Sequence, residues 1–201
     1  MRRRQSCELR QVVSLLTVTK TVLVAQGQLL QAQLWKLVLE SQRHTVVLVS
    51  PQADLVEVAA THSPDLMVVD MTTGLFNPYA FCRECRSRLP DIPVILTHYP
   101  RRPIEPAERR WAIYQGAAEV IPGLAEADDI LHSLEQIYKA ARWSFPIDTE
   151  ALHAVLEQLG LWSEKDSPPP SPSVATEERQ EQTAAPPPAK YRLMYRGRPV
   201  E

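Results

Sequence analysis

The sequence predicts an α/β fold in which a five-stranded parallel sheet is doubly wound, with helices on both faces. Three observations point there. Short runs of consecutive apolar, β-branched residues recur along the chain, the pattern of strands buried on both faces. Segments with apolar residues at helical spacing separate them, and the strand–helix unit repeats from about residue 21 to residue 143.

Val22-Leu23-Val24, after Lys20-Thr21, is the first strand, and Leu29, Leu30, Leu34, Leu37 and Val38 then recur as the apolar side of an amphipathic helix. Val46-Val47-Leu48-Val49 is the second strand. Residues 51–61 carry Leu55, Val56, Val58 and Ala59 on a helix expected to begin near Ser50 as its cap. Residues 65–70 form the third strand and end at Asp70. Asn77 and Pro78 offer a capping side chain and a proline at the first helical position, opening a helix to about Arg88 that Leu89-Pro90 ends. Residues 92–97 are the fourth strand, 105–115 a polar helix and Glu119-Val120-Ile121 a short fifth strand. Residues 128–143 form a long helix with Ile130, Leu131, Leu134 and Ile137 on one face. Right-handed crossovers then give the flavodoxin-like strand order 2-1-3-4-5, with a ligand crevice at the carboxyl ends of strands 1 and 3. Asp70 lies at that edge.

Around this core, residues 1–19 are expected to form an N-terminal helical arm with Leu9, Val12, Val13, Leu15 and Leu16, and residues 20–145 the globular domain. Residues 146–165 hold a short helix with Leu152, Val155, Leu156 and Leu159 on one side, stopped by Gly160. Residues 166–189 are rich in proline and read as a disordered linker, and residues 190–201 form a basic, aromatic tail.

A chain of 201 residues with 44% hydrophobic content suffices for one ordinary domain with appendages. Its 22 basic and 24 acidic residues nearly balance, which removes a general electrostatic case for nucleic acid or membrane as the partner. No run is long and apolar enough to span a bilayer. The odd set Cys7, Cys82 and Cys85, with no second pair to complete a zinc site, fits a reduced cytosol, so a cytoplasmic location is expected; Met1-Arg-Arg-Arg resembles the start of a signal peptide, but Glu8, Arg10 and Gln11 interrupt the apolar stretch such a peptide needs.

Pro64-Asp-Leu-Met-Val-Val-Asp70, Asp91-Ile-Pro-Val-Ile-Leu-Thr97 and Gly116-Ala117-Ala118-Glu119-Val120 together resemble the third strand, the fourth strand and the turn into the fifth strand of response-regulator receiver domains. The resemblance implies a phosphoacceptor aspartate at Asp70 and a switch hydroxyl at Thr97. It also implies two acidic magnesium ligands after strand 1, a lysine after strand 5 and a strand-5 aromatic residue. Those positions hold Ala25 and Gln26, Gly123, and Val120. The missing groups act on one developing negative charge, so a lone carboxylate retains little phosphotransfer chemistry. The expectation is a degenerate pseudo-receiver without catalysis, metal or cofactor, working as a signalling or regulatory adaptor. Family members dock partners, or a second copy of themselves, through the face of the fourth helix, fifth strand and fifth helix. That face places Arg109, Arg110, Trp111 and Tyr114 as partner-binding residues.

Two alternatives stay open: phosphorylation of Asp70, and a redox pair at Cys82 and Cys85, although this Cys-x-x-Cys lies inside a helix. The five histidines show no ligand spacing, and no phosphate-binding loop or nucleophile elbow occurs, so no enzyme is expected. Trp111, Trp143 and Trp162 are candidate anchors for binding or for packing. In the tail, Tyr191, Arg192, Tyr195 and Arg196 form a second candidate partner contact, a peptide suited to adding a strand to a partner's sheet edge, with contact to nucleic acid and a strand folding back onto its own domain as the alternatives. Tyr195-Arg196-Gly197 resembles a motif of small cyanobacterial domains of unknown function.

Overall fold

The structure is a computed structural model that describes residues 19–161, together with the backbone of residues 194–195 and 198–199. The chain divides into two units, residues 1–166 and residues 167–201. In the first unit the elements run β1 (Thr21–Ala25), α1 (Leu29–Ser41), β2 (Thr45–Leu48), α2 (Leu55–His62), β3 (Leu66–Asp70), α3 (Pro78–Arg88), β4 (Val94–Thr97), α4 (Pro106–Gln115), β5 (Glu119–Ile121), α5 (Ala127–Ala140) and α6 (Thr149–Gln158). The sheet is parallel throughout with order β2-β1-β3-β4-β5, as expected.

Successive strand residues point to opposite faces, which splits the core in two. Val22, Val24, Leu66, Val68, Ile95 and Ile121 pack under α1, α5 and α6. Leu23, Ala25, Met67, Val69, Leu96 and Val120 pack under α2, α3 and α4. Every residue of β3 is buried, because it is central and covered on both sides.

Local signals set several boundaries. Asn77 accepts from the backbone N–H groups of Tyr79 and Ala80 at 3.0 and 3.1 Å, capping α3 with Pro78 in its first turn. The cap of α2 is Asp54 rather than Ser50: Asp54 accepts from Glu57 N–H at 3.0 Å, while Ser50 to Ala53 closes a separate turn. Helix α5 stops at Ala140, short of the expected Trp143, because Arg142 adopts a left-handed φ of 56° and Trp143 turns back onto Tyr138. Trp143 then packs with His44, Tyr138 and Phe145.

The apolar side of α1 differs from the sequence expectation. Trp35, Val38 and Leu39 are buried, whereas Leu29 and Leu30 are 74% and 82% exposed. Helix α6 packs on α1 through Leu152 and Leu156, starts from Asp148 as its cap and ends at Gln158, two residues before Gly160. Gln42 fixes it in place, donating to the carbonyl of Asp148 at 3.1 Å and accepting from its N–H at 2.8 Å.

In the second unit Met194–Tyr195 (β6) pairs antiparallel with Arg198–Pro199 (β7). The N-terminal arm, the linker, Trp162 and the tail positions Tyr191, Arg192 and Arg196 lie outside the described residues, as does the side chain of Tyr195.

Candidate functional site: the crevice at the strand ends

Parallel register sets the site. Asp70, the last residue of β3, sits beside Thr97, the last of β4, while Ala25 ends β1 level with Val69. Asp70 is 6% exposed and Thr97 is fully buried. Both positions expected from the sequence therefore meet in one crevice.

The carboxylate of Asp70 is already occupied by donors. Oδ2 accepts from the Gly27 N–H at 3.1 Å, and Oδ1 accepts from the Thr72 N–H at 2.8 Å and from the Thr72 hydroxyl at 2.6 Å. Gly27 is required for this approach: a Cβ there would stand 2.9 Å from Thr73 Cγ2 and 3.2 Å from Asp70 Oδ2. Three bonds to one buried anion remove the desolvation penalty an unpaired carboxylate would carry. Asp70 thus ties the β1–α1 and β3–α3 loops together.

Gln26 occupies one of the two positions that hold acidic residues in receivers, and it turns inward. Its side-chain Nε2 donates to Thr97 Oγ1 at 3.0 Å, with Oε1 3.3 Å from the same hydroxyl. The switch hydroxyl is therefore engaged by a neutral amide across the top of β3. Ala25, at the other acidic position, is fully buried in the core.

The lysine position is closed. At Gly123 a Cβ would stand 2.9 Å from the carbonyl oxygen of His98 and 3.1 Å from Gln31 Oε1. Gln31 itself clamps the β5–α5 loop, donating to the Leu124 carbonyl at 2.8 Å and accepting from the Leu124 N–H at 3.0 Å. His98 accepts from the Tyr99 N–H at 2.7 Å, and its other ring nitrogen lies against Arg102. Burial and the neighbouring Arg102 charge push the His98 pKa down, against the pull of Glu108 and Asp70, so the ring is neutral near pH 7.

These residues do not fit a magnesium ion. Magnesium takes hard oxygen ligands, with carboxylates supplying its anionic protein contacts. Here the crevice offers the Asp70 carboxylate with three donors aimed at it, one amide committed to Thr97 and one alanine. Nothing in that set supplies a second anionic ligand for the cation that would offset a phosphoryl donor's charge.

On the α4 side, Arg109 is drawn into its own domain by a paired contact to buried Glu119, with Nε 2.6 Å from Oε1 and a guanidinium nitrogen on Oε2. Arg110 points outward, and Trp111 and Tyr114 stack on each other at 5.8 Å while 53% and 72% exposed. Cys82 and Cys85 sit on the buried face of α3, and burial pushes both thiols up to about 12. Thiols in that state are not nucleophiles near neutral pH, which removes support for the redox alternative.

Sequence reasoning registered Gln26 only as a missing acid and did not register Gln31 or Thr72. The available signal was the uncharged stretch Ala25-Gln-Gly-Gln-Leu-Leu-Gln31, whose amides needed partners once placed at a buried edge.

No family model matches the sequence, and no curated protein matches it. Solved structures do. The signal receiver domain of the response regulator named NarL from Mycobacterium tuberculosis superposes with a TM-score of 0.51 at 20% identity, over 63% of this chain and 98% of that one. The receiver domain of Francisella response regulator 1452 gives 0.50 at 16% identity, over 60% and 98%. The signal receiver domain of a DNA-binding response regulator from Colwellia psychrerythraea 34H gives 0.50 at 14% identity, over the same shares. With the strand order and the Asp70–Thr97 register, these likenesses give the globular part of the chain the fold of a response-regulator receiver domain.

Proposed function

We propose that the protein is a pseudo-receiver, a non-catalytic signalling or regulatory adaptor that works by protein–protein contact without phosphorylation of Asp70. One observation carries the reading: the acceptor carboxylate and the switch hydroxyl are both held by neutral groups of the chain itself, Gly27, Thr72 and Gln26. An aspartate used for phosphotransfer must present a free lone pair to phosphorus and share the developing charge with cations. Asp70 does neither.

The partner surface in this reading is the outer side of α4 with neighbouring β5 and α5. Stacked, exposed Trp111 and Tyr114 supply rigid apolar area and Arg110 adds a charge at the rim. The partner is a protein, a second copy included. The tail residues Tyr191, Arg192, Tyr195 and Arg196 supply a second contact on a tether that raises its local concentration.

Intact-mass spectrometry after incubation with acetyl phosphate and magnesium tests the chemistry. No phosphoryl adduct is expected, and an adduct that disappears in Asp70→Asn would overturn the reading. Trp111→Ser with Tyr114→Ser should weaken capture of a native partner by about tenfold, the change that ~1.4 kcal/mol produces, at unchanged thermal stability.

A further inference from the structure

The amino edge of the sheet, at the opposite end from Asp70, carries an open groove. Two cavities of ≈ 400 and ≈ 670 Å³ share Pro90, Asp91, Ile92, Pro93, Ala141 and Arg142, so they run into one another. The turn formed by residues 90–93 passes through both, between the last turn of α3 and the residues that follow α5. Lys20, Asp65, Val94 and Ala118 line the groove at the starts of β1, β3, β4 and β5, which makes it cross four neighbouring strands. Three inter-strand spacings come to about 14 Å, the reach of roughly four to five residues of extended chain.

The charges lining this groove do not cancel. Lys20, Arg86, Arg88 and Arg142 face Asp65 and Asp91, an excess of the sign opposite to the chain's net charge of -2. Lys20 is matched to Asp65 at 2.8 Å, and Arg88 to Glu84 and Glu57 at 3.0 and 3.3 Å. Among the described residues, Arg86 donates only to the Tyr114 carbonyl, at 3.0 Å, and Arg142 makes no side-chain hydrogen bond or ion pair. Two guanidinium groups are thus left over, Arg142 where the cavities join and Arg86 toward β5.

Cations near helix C-termini commonly serve the carbonyl ends. Here the ends of α4 and α5 are closed by backbone: the Ala112 carbonyl accepts from the Ala117 N–H at 3.0 Å, and that of Tyr138 from the Trp143 N–H at 2.9 Å. Arg142 also holds a φ of 56°, a left-handed position that glycine occupies without strain. The same charge at Ala141 would serve the helix end without that cost, so the placement of Arg142 answers to the groove rather than to α5.

We propose that this groove docks a short, extended, acidic segment of a partner protein, with carboxylates on Arg142 and Arg86 and backbone N–H groups over Asp91. Its length selects a peptide over a single small anion, and the two unmatched cations select an acidic one. The site depends neither on the chemistry of Asp70 nor on the outer side of α4.

Fluorescence anisotropy of a labelled peptide, Ala-Glu-Ser-Glu-Glu-Ala, titrated with the full chain tests this, with Ala-Gln-Ser-Gln-Gln-Ala as its neutral match. The acidic peptide should bind saturably and at least about tenfold more tightly than the neutral one. Arg142→Gly should weaken that binding by about tenfold with the fold kept, because glycine removes the charge and suits the left-handed backbone. Lys36→Gln, which removes a charge from α1 outside the groove, should leave the affinity unchanged. In amide NMR the Ile92, Ala118 and Ala141 signals should shift together as peptide is added. No saturable binding, equal binding of the two peptides, equal losses in Arg142→Gly and Lys36→Gln, or shifts confined to one cavity would each overturn the proposal. Displacement of the peptide by an equal concentration of inorganic phosphate would do so as well, since it would make the groove a small-anion site.

Discussion

Acidification should destabilise this protein through one buried ring. His44 is 4% exposed, its Nε2 lies 2.9 Å from the Tyr138 hydroxyl, and its Nδ1 is buried without a hydrogen-bond partner among the described residues. Trp143 and Phe145 wall it in at ring-centre distances of 4.9 and 5.7 Å. Burial pushes its pKa down from 6.5 to about 4; Asp65 pulls the other way and Lys20 adds to the lowering. The folded state therefore holds the neutral ring, and the unfolded chain binds a proton first as pH falls. Stability is complete above 6.5 and is lost between 6.5 and about 4, by about 3 kcal/mol in all. For a domain whose total is of order 5–15 kcal/mol, that is a large fraction. Asp65 acts in another range: burial pushes it up, but the Lys20 and Thr21 hydrogen bonds and the Lys20 charge leave it below 3.8, so its stabilisation is present above that value and fades only below it. Urea unfolding at about pH 7.5 and about pH 4.5, on the wild type and on His44→Phe, isolates the ring. The wild type should lose about 2.5 kcal/mol more than the variant between the two conditions. His44→Phe should be less stable at neutral pH, since it leaves the Tyr138 hydroxyl unpaired, but flatter with pH. Equal slopes for the two proteins, or an imidazole titrating near 6.5, would refute the reasoning.

The crevice and the core each give a further expected outcome. A double-mutant cycle on Gln26→Ala and Thr97→Val should give a coupling of about 1 kcal/mol by chemical denaturation, with Gln26→Ala alone costing about 1–3 kcal/mol because it strands a fully buried hydroxyl; additive effects would mean the bond does not form. Cys82 and Cys85, at 0% and 1% exposure with thiols near 12, should resist alkylation at neutral pH until the domain unfolds, and prompt labelling of either would show α3 opening locally.

What could be read in the sequence was local. Asn77-Pro78 specifies a helix start whatever surrounds it, and Leu66 to Asp70 cannot be anything but a buried strand in a repeating strand–helix chain. Ser50 misled because its capping chemistry also serves a turn, and only the next few residues decide which forms. Leu29 and Leu30 misled for a different reason. A helix with leucines on both sides has no unique apolar face, so spacing alone could not select Trp35, Val38 and Leu39. In the crevice, Asp70 and Thr97 announced themselves by position in their strands, but the function of Gln26 depends on parallel register, which brings residues 71 apart in sequence within 3.0 Å. Absent acids are visible in a sequence; the amide bond that replaces them is not.

Whether Asp70 holds loops together or accepts phosphate is decided most directly by amide and threonine-methyl NMR of the full chain. Titration with beryllium fluoride and magnesium reads Gly27, Thr72 and Thr97 at once. All three signals should stay in place through the titration, as they should in Asp70→Asn with the same mixture. A saturable shift of Gly27 and Thr97 in the wild type, absent from Asp70→Asn, would contradict the structural role and return Asp70 to phosphotransfer chemistry.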